Sequence, residues 1–194
     1  MSAASEPHPL MARVRESAMV VLCLLAVYLG ACLVSFDVGD PGWSQDRGVG
    51  DISNLGGAVG AWLADVLLSL FGLVGYLFPL ALAYAGVRQV YGAGRARGDW
   101  LALGISWSGL LIGVLAATGL FALHSSTAGR LPAGIGGGGI VGELVGTPLA
   151  AVTGLLGATL LLLGLLLAGV TLFTGLSWLR VMDATGYLAL NGGK

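Results

Sequence analysis

Glycines, serines, histidines and acids are the residues of this chain whose spacing could do chemistry. The run GIGGGGIVGEL (134–144) is rich enough in glycine to suggest a phosphate loop. Such a loop needs Lys and then Ser or Thr after its last glycine, to meet the phosphates and a magnesium ion. Ile140 follows Gly139 instead, so the stretch is expected to be an outer loop leading into a short apolar helix. GISWSG (104–109) invites comparison with a nucleophile elbow, but Ser108 stands where that motif has Gly. A serine nucleophile also needs a base. The two histidines are His8, in the N-terminal tail, and His124, at the far end of the third apolar run. They fall on opposite sides of the membrane in the topology below, so no catalytic dyad is expected.

Asp65 is the one acid drawn into an apolar run. An ionisable residue at membrane depth is a functional candidate by default. It comes three residues after Trp62, read here as the first turn of the second span, where a carboxylate favours the positive end of the helix dipole. The other reading is contact with a protein partner. A proton relay needs further acids at depth, and the sequence has none. Cys23 and Cys32 lie nine residues apart, on opposite faces of a helix, so they suit neither a disulfide nor a shared metal. They read as small packing residues. No catalytic residue, cofactor site or metal cluster emerges.

The elements that hold these residues follow from composition. The 194 residues are 56% hydrophobic and 10% charged, against about 25% charged in soluble domains. Lipid must therefore be the solvent. The net charge of −1 gives no electrostatic case for nucleic acid. Four spans are expected, at about 17–36, 62–87, 101–123 and 149–178, within a membrane domain over 17–180. A tail, 1–16, precedes it, and 181–194 begins a cytoplasmic linker. The first run is long enough to span and is read as a retained anchor rather than a cleaved signal. The fourth is longer than a bilayer needs, so it tilts or its first turns lie in the interface.

Arg13, Arg15, Arg88, Arg95, Arg97, Arg180 and Lys194 fall on one side of these spans; Arg47 and Arg130 fall on the other. Basic residues stay cytoplasmic during insertion. Both termini are therefore expected inside, with loops 37–61 and 124–148 outside. Trp62, Trp100 and Trp178 mark span ends, whereas Trp107 is expected to pack against a neighbour. Pro79 falls mid-span, where it should kink the helix. Gly109, Gly113 and Ala117 recur every four residues, a small-residue stripe suited to close helix packing within the chain or between chains. NLGGAVGAWLADVL and GGGGIVGELVGTPLAAV share glycines, apolar residues and one acid before a span. An inverted repeat would point to a transporter. Both segments enter from the same side, so the likeness is discounted.

What stands out lies outside. In DPGW, Pro41 presets φ and Gly42 is expected to supply the positive φ of a type II turn. Asp40, Pro41, Gly42 and Trp43 would then form a shaped outer surface. Trp43 is either an ordinary interfacial tryptophan or an anchor for a partner, since Trp is enriched in binding hot spots.

DPGWS (40–44) followed by NLGGAVGAWLADVLLSLFG (54–72) resembles the first outer loop and second helix of the FtsK/SpoIIIE septal DNA translocases. GGIVGELVG (138–146) resembles that family's segment before the fourth helix, and AGVTLFTGLSW (168–178) resembles the end of that helix. The resemblance covers nearly the whole chain. It implies an all-α, four-helix bacterial inner-membrane domain that recruits other division proteins at the septum. It also implies a parent protein with a linker and an ATP- and magnesium-dependent motor that pumps DNA as a hexamer. No motor residue has a counterpart here, so the chain is read as the membrane domain alone, binding lipid and divisome proteins but no nucleic acid. The rival reading is a small channel or transporter subunit. Its polar material, Ser69, Ser106, Ser108, Thr118, Thr153 and Thr159, is scattered and uncharged.

Overall fold

The computed structural model describes residues 9–44, 52–91, 100–125, 131–132 and 134–191. His8, Asp46, Arg47, Asp51, Arg95, Arg97, Arg130 and Lys194 lie outside the described residues. The described chain is all-helical: α1 (Pro9–Val34), α2 (Gly57–Phe71), a 3-10 turn (Gly72–Tyr76), α3 (Leu77–Tyr91), α4 (Trp100–His124), α5 (Gly139–Thr174) and α6 (Trp178–Asn191). Four stretches are long and apolar enough to cross a membrane: Arg13–Val34, Gly57–Arg88, Leu101–His124 and Gly139–Thr174.

Not all of each stretch crosses. A Cβ on Gly30 would lie 3.8 Å from Pro79, and one on Gly86 would lie 3.1 Å from Leu22, so α1 and α3 run antiparallel. Both ends of α2 meet the same last turns of α1. Tyr28 donates to Gly56 O at 3.1 Å, and Tyr76, just past α2, donates to Leu33 O at 3.1 Å. A fifteen-residue helix is about 22 Å long. It can touch one level of α1 at both ends only by lying across it. We call this the loop end of the bundle; the crossing back is made by the 3-10 turn and α3.

The second half repeats the plan. α4 pairs with the later part of α5: Gly113 abuts Gly169, Gly119 abuts Leu162, and His124 Nε2 lies 3.3 Å from Thr159 Oγ1. The earlier part of α5 lies across the last turns of α4, with Gly142 against Thr118 and Ala122. Gly154, at φ 72° and ψ 166°, separates the two parts. Residues 155–174, about 30 Å of helix, suffice to cross. Residues 139–153 form a short apolar helix before the fourth span, as expected, but it starts at Gly139, inside the stretch 134–144 expected to be loop, and runs past 149, where that span was expected to begin.

The likeness discounted in the sequence is thus a same-sense structural repeat. Gly57 and Gly139 open the two cross-lying helices at φ 64° and 68°; Gly72 and Gly154 break them at φ 57° and 72°. Gly72 follows Gly57 by fifteen positions, and Gly154 follows Gly139 by the same fifteen. Gly56 and Gly60 rest on Cys32, as Gly138 and Gly142 rest on Thr118 and Ala122. The repeat is not inverted, because each half enters and returns in the same order.

The halves meet at the two repeat junctions. Leu73 N–H donates to Gly137 O at 2.9 Å. A Cβ on Gly72 would collide with Gly137 O, and one on Gly139 with Leu70 O, so only glycine permits this backbone contact. At the other end, Arg88 donates to Phe173 O at 2.9 Å and to Ser106 Oγ at 3.1 Å.

Two expectations about helix shape are corrected. Pro79 does not kink a helix. It sits in the first turn of α3, where a missing N–H breaks no helical bond, and the chain bends before it at 72–76. Trp107 does not pack within the chain: it is 56% exposed. The stripe on α4 explains why. Gly109 faces Leu172 and Phe173 of α5, and Trp107, two residues earlier, projects from the opposite side. Ala117 is buried.

The region read as linker begins as a helix. Gly175, in the left-handed conformation, ends α5 and donates to Thr171 O. Trp178 then folds back, its indole donating to Thr171 Oγ1 at 2.7 Å.

Candidate docking site around Asp65

The loop end of α1 must satisfy its last carbonyls without water, because an unpaired backbone group in a membrane costs several kcal/mol. Asn54 does much of this. Its Nδ2 donates to Cys32 O at 2.8 Å and to Ser35 O at 3.3 Å, while its Oδ1 accepts from Gly56 N at 2.9 Å. Ser35 Oγ donates to Ala31 O at 2.7 Å and accepts from Leu55 N at 3.0 Å. One polar side chain from each strand of the loop thus closes α1 and opens α2. Beneath them Cys32, Leu33, Ala64, Leu68 and Leu131 form an apolar core.

Asp65 stands on this base, 3% exposed. It is the ninth residue of α2, which begins at Gly57, so the reading of a first-turn carboxylate on the helix dipole is corrected. Its oxygens have other partners. Oδ2 accepts from Ser44 N at 2.5 Å, and Oδ1 accepts from Ser44 Oγ at 2.8 Å and from Ser69 Oγ at 3.4 Å. The carboxylate therefore reaches back twenty-one residues and grips the end of DPGWS.

Gly42 has a different role from the one expected. It is absent from the glycines of positive φ, so Asp40–Trp43 is not a type II turn. The turn lies three residues earlier, over Asp37–Asp40, where Asp40 N donates to Asp37 O at 3.2 Å. Glycine is needed at 42 for space: a Cβ there would sit 2.5 Å from Asp65 Oδ2 and 2.9 Å from its Cβ. Asp40 is buried as well. Its Oδ1 accepts from Ser53 N at 2.8 Å, tying the two strands of the loop, while Oδ2 meets no hydrogen-bond donor among the described residues. Trp43, between the gripped Ser44 and the close-packed Gly42, is 53% exposed.

The other sequence candidates do not join this cluster. His124 Nδ1 lies 3.2 Å from Leu120 O, and neither serine of GISWSG contacts it: Ser106 accepts from Arg88, and Ser108 donates to Ile105 O. Among the described residues, no group of three or more His, Cys, Asp or Glu is placed to hold a metal. Gly109 and Gly113 serve the α4–α5 contact, where a Cβ on Gly109 would lie 2.6 Å from Leu172 Cβ.

This four-helix plan has a match among known protein families. The profile described as "4TM region of DNA translocase FtsK/SpoIIIE" matches residues 11–186. The chain belongs to this family. It is 36% identical to "DNA translocase FtsK" of Shewanella oneidensis over 92% of this chain and 19% of that protein. It is 34% identical to the Pseudomonas aeruginosa protein of the same name over 97% of this chain and 23% of that one. The chain thus spans about a fifth of the length of these relatives. No solved structure matches it.

The chain is a multi-pass membrane domain of the FtsK family, and its repeat separates scaffold from addition. Counting from the matched glycines, Thr147 occupies in the second half the place of Asp65 in the first. Both halves keep the glycines that shape the fold. Among the described residues, the carboxylate clamp is seen in the first half. Sequence reasoning found Asp65 and DPGWS but did not join them, and it missed Ser44, Ser69 and Asn54. The signal for Asn54 was present: a turn-forming Asn two residues ahead of a Gly-Gly pair that opens a helix.

Proposed function

We propose that this chain anchors and recruits: it is the membrane part of a septal DNA translocase and acts by binding division proteins rather than by catalysis. The observation that carries the reading is Trp43, half exposed on a loop whose next residue is hydrogen-bonded to a buried carboxylate. A tryptophan that merely floats among headgroups needs no such clamp. A hot-spot tryptophan does, because an ordered anchor loses less freedom on binding. The distribution of Lys and Arg supports loops 37–61 and 124–148 on the periplasmic side of a bacterial inner membrane, with both termini cytoplasmic. The site of action in this reading is the division septum. The longer parent supplies the ATP- and magnesium-dependent DNA motor, whose hexameric ring would gather six of these domains.

The channel reading has little support. Thr118, Thr153 and Thr159 donate to Leu115 O, Leu149 O and Leu155 O, so these hydroxyls are spent on their own helices rather than on an ion path. The test compares a fluorescent full-length fusion with its Trp43→Ala variant at matched membrane abundance. Losing a hot spot of about 2 kcal/mol weakens binding about thirtyfold. Septal recruitment and photo-crosslinking from the loop should fall while four-span insertion is unchanged. Unaltered recruitment and crosslinking would reduce Trp43 to a membrane-edge residue.

A further inference from the structure

The repeat builds two parts twice, an entry turn and a break, and the chain engages one of each. In the second half the entry turn is 136–139: Gly139 N donates to Gly136 O at 2.9 Å, and Gly142 N donates to Gly138 O at 3.0 Å. The first half repeats it over 54–57: Gly57 N donates to Asn54 O at 2.9 Å, and Gly60 N donates to Gly56 O at 3.1 Å. The breaks also correspond. Gly72 has φ 57° and ψ −138°; Gly154 has φ 72° and ψ 166°. Inside the chain the first break sits on the second entry turn. Leu73 N donates to Gly137 O at 2.9 Å, and Gly72, Gly137 and Gly139 are all buried. The second break and the first entry turn do not meet in this way. Among the described residues, nothing lies within 4 Å of a Cβ placed on Gly154 or on Gly57. Leu155, the counterpart of Leu73, is 56% exposed, and Leu55, the counterpart of Gly137, is 78% exposed. Leu55 O meets no hydrogen-bond donor among the described residues.

We propose that the free break of one copy of this chain docks on the free entry turn of a second copy, with Leu155 N–H donating to Leu55 O of the next copy. The occupant is identified by the contact inside the chain. Gly72 and Leu73 already sit on an entry turn of this form, so Gly154 and Leu155 match the first entry turn as their counterparts match the second. The same-sense repeat sets break and entry turn at one end of the bundle. Two copies inserted in the same orientation therefore present them at the same depth. Lipid tails offer a carbonyl no donor, whereas a second copy brings a backbone N–H. The two surfaces differ, so the contact is head-to-tail. Each copy added leaves one break and one entry turn free, and assemblies close into rings or run on as rows. The surface lies apart from Trp43 and its clamp, so it stands or falls separately from the recruitment reading.

The experiment uses the whole chain in cell membranes, with Cys23 and Cys32 replaced by alanine. Two single-cysteine variants, Leu55→Cys and Leu155→Cys, carry different tags and are expressed together. After oxidation with copper phenanthroline, disulfide dimers are sorted by tag. Mixed dimers should exceed several-fold those from Leu24→Cys with Leu111→Cys, two outward residues at 64% and 61% exposure that measure random collision. They should also exceed several-fold the same-variant dimers, because a head-to-tail contact brings position 55 to position 155 and neither to itself. Because the two cysteines start on separate chains, a bond within one chain cannot mimic the result. A second pair, Ala58→Cys with Val152→Cys, takes the places of Ile140 and Leu70 at the internal junction, where a Cβ on Gly139 would strike Leu70 O. It should behave alike and covers the case in which a variant of the first pair fails to insert. Mixed dimers no more abundant than the collision control in both pairs overturn the proposal. Same-variant dimers as abundant as mixed ones overturn it as well.

Discussion

Ser44 and Asp65, twenty-one residues apart, are joined twice, once through the backbone N–H and once through the hydroxyl of Ser44. A carboxylate that accepts two donors from one residue fixes that residue's orientation as well as its position. It converts the outer loop from a tether into a surface.

Asp65→Ala should free that loop. Hydrogen bonds to a charged group contribute about 1.5–3 kcal/mol each, and losing the carboxylate leaves the Ser44 and Ser69 groups unmet. Amide hydrogen exchange should rise sharply at Ser44 while α1 and α3 keep their protection. Ser44→Ala removes the hydroxyl bond alone and should give the smaller effect. A double-mutant cycle should return a coupling of about 1 kcal/mol or more. Coupling near zero would mean that the two residues act separately.

Glycines of one composition should divide sharply by position. Gly104 and Gly164, in α4 and α5, have open space where a Cβ would go, so alanine there should be neutral or stabilising by up to about 1 kcal/mol. At Gly138 an added Cβ would strike Thr118 O and approach Ala122 N, and Gly139 also has positive φ. Alanine at either should destabilise by about 1–3 kcal/mol, as overpacking does. Thermal unfolding of the four variants in one detergent checks the order.

The topology has a direct test. In a chain whose Cys23 and Cys32 are replaced by alanine, Ile52→Cys should react with an impermeant thiol reagent in intact cells. Tyr187→Cys should react only after the inner membrane is permeabilised. Labelling in the reverse order would invert the assignment of sides.

α6 should lie in the membrane surface. Trp178, Val181, Met182 and Thr185 share one face of this helix, and Arg180, Asp183 and Tyr187 share the other. The Thr185 hydroxyl is met by Val181 O and Met182 O, which leaves its methyl free to face lipid. Separated from Thr174 by only three residues, and pinned by the Trp178 indole, the helix has little room to leave the bilayer. Spin labels at Met182 should be broadened by oxygen, which concentrates in lipid, and labels at Asp183 by an aqueous nickel complex. The same response at both would make α6 a linker in solution.

Much of the architecture was legible because span length and apolarity are set by the bilayer. The cross-lying helices were not. α2 and residues 139–153 are as apolar as the crossing helices, and composition does not distinguish lying across from crossing. The breaks at Gly72 and Gly154 were hidden among thirty-four glycines, most of which carry no special backbone angle. Pro79 misled because its effect depends on distance from a helix start, and that start was placed too early. The docking site was half legible. DPGWS and Asp65 each stood out by residue type, but their pairing is a long-range contact that no local pattern encodes. Gly42 was singled out for the wrong property: the fold uses its missing side chain, not its backbone freedom.

The same-sense repeat also has a consequence of parity. Each half makes two crossings and hands the chain back on the face where it received it. Such a unit can be copied, deleted or exchanged as a whole without inverting anything downstream. A single crossing helix cannot, since losing one turns every later segment inside out. Deleting α4 and α5 together should therefore leave α6 on its own side of the membrane, whereas deleting α1 alone should invert every later segment.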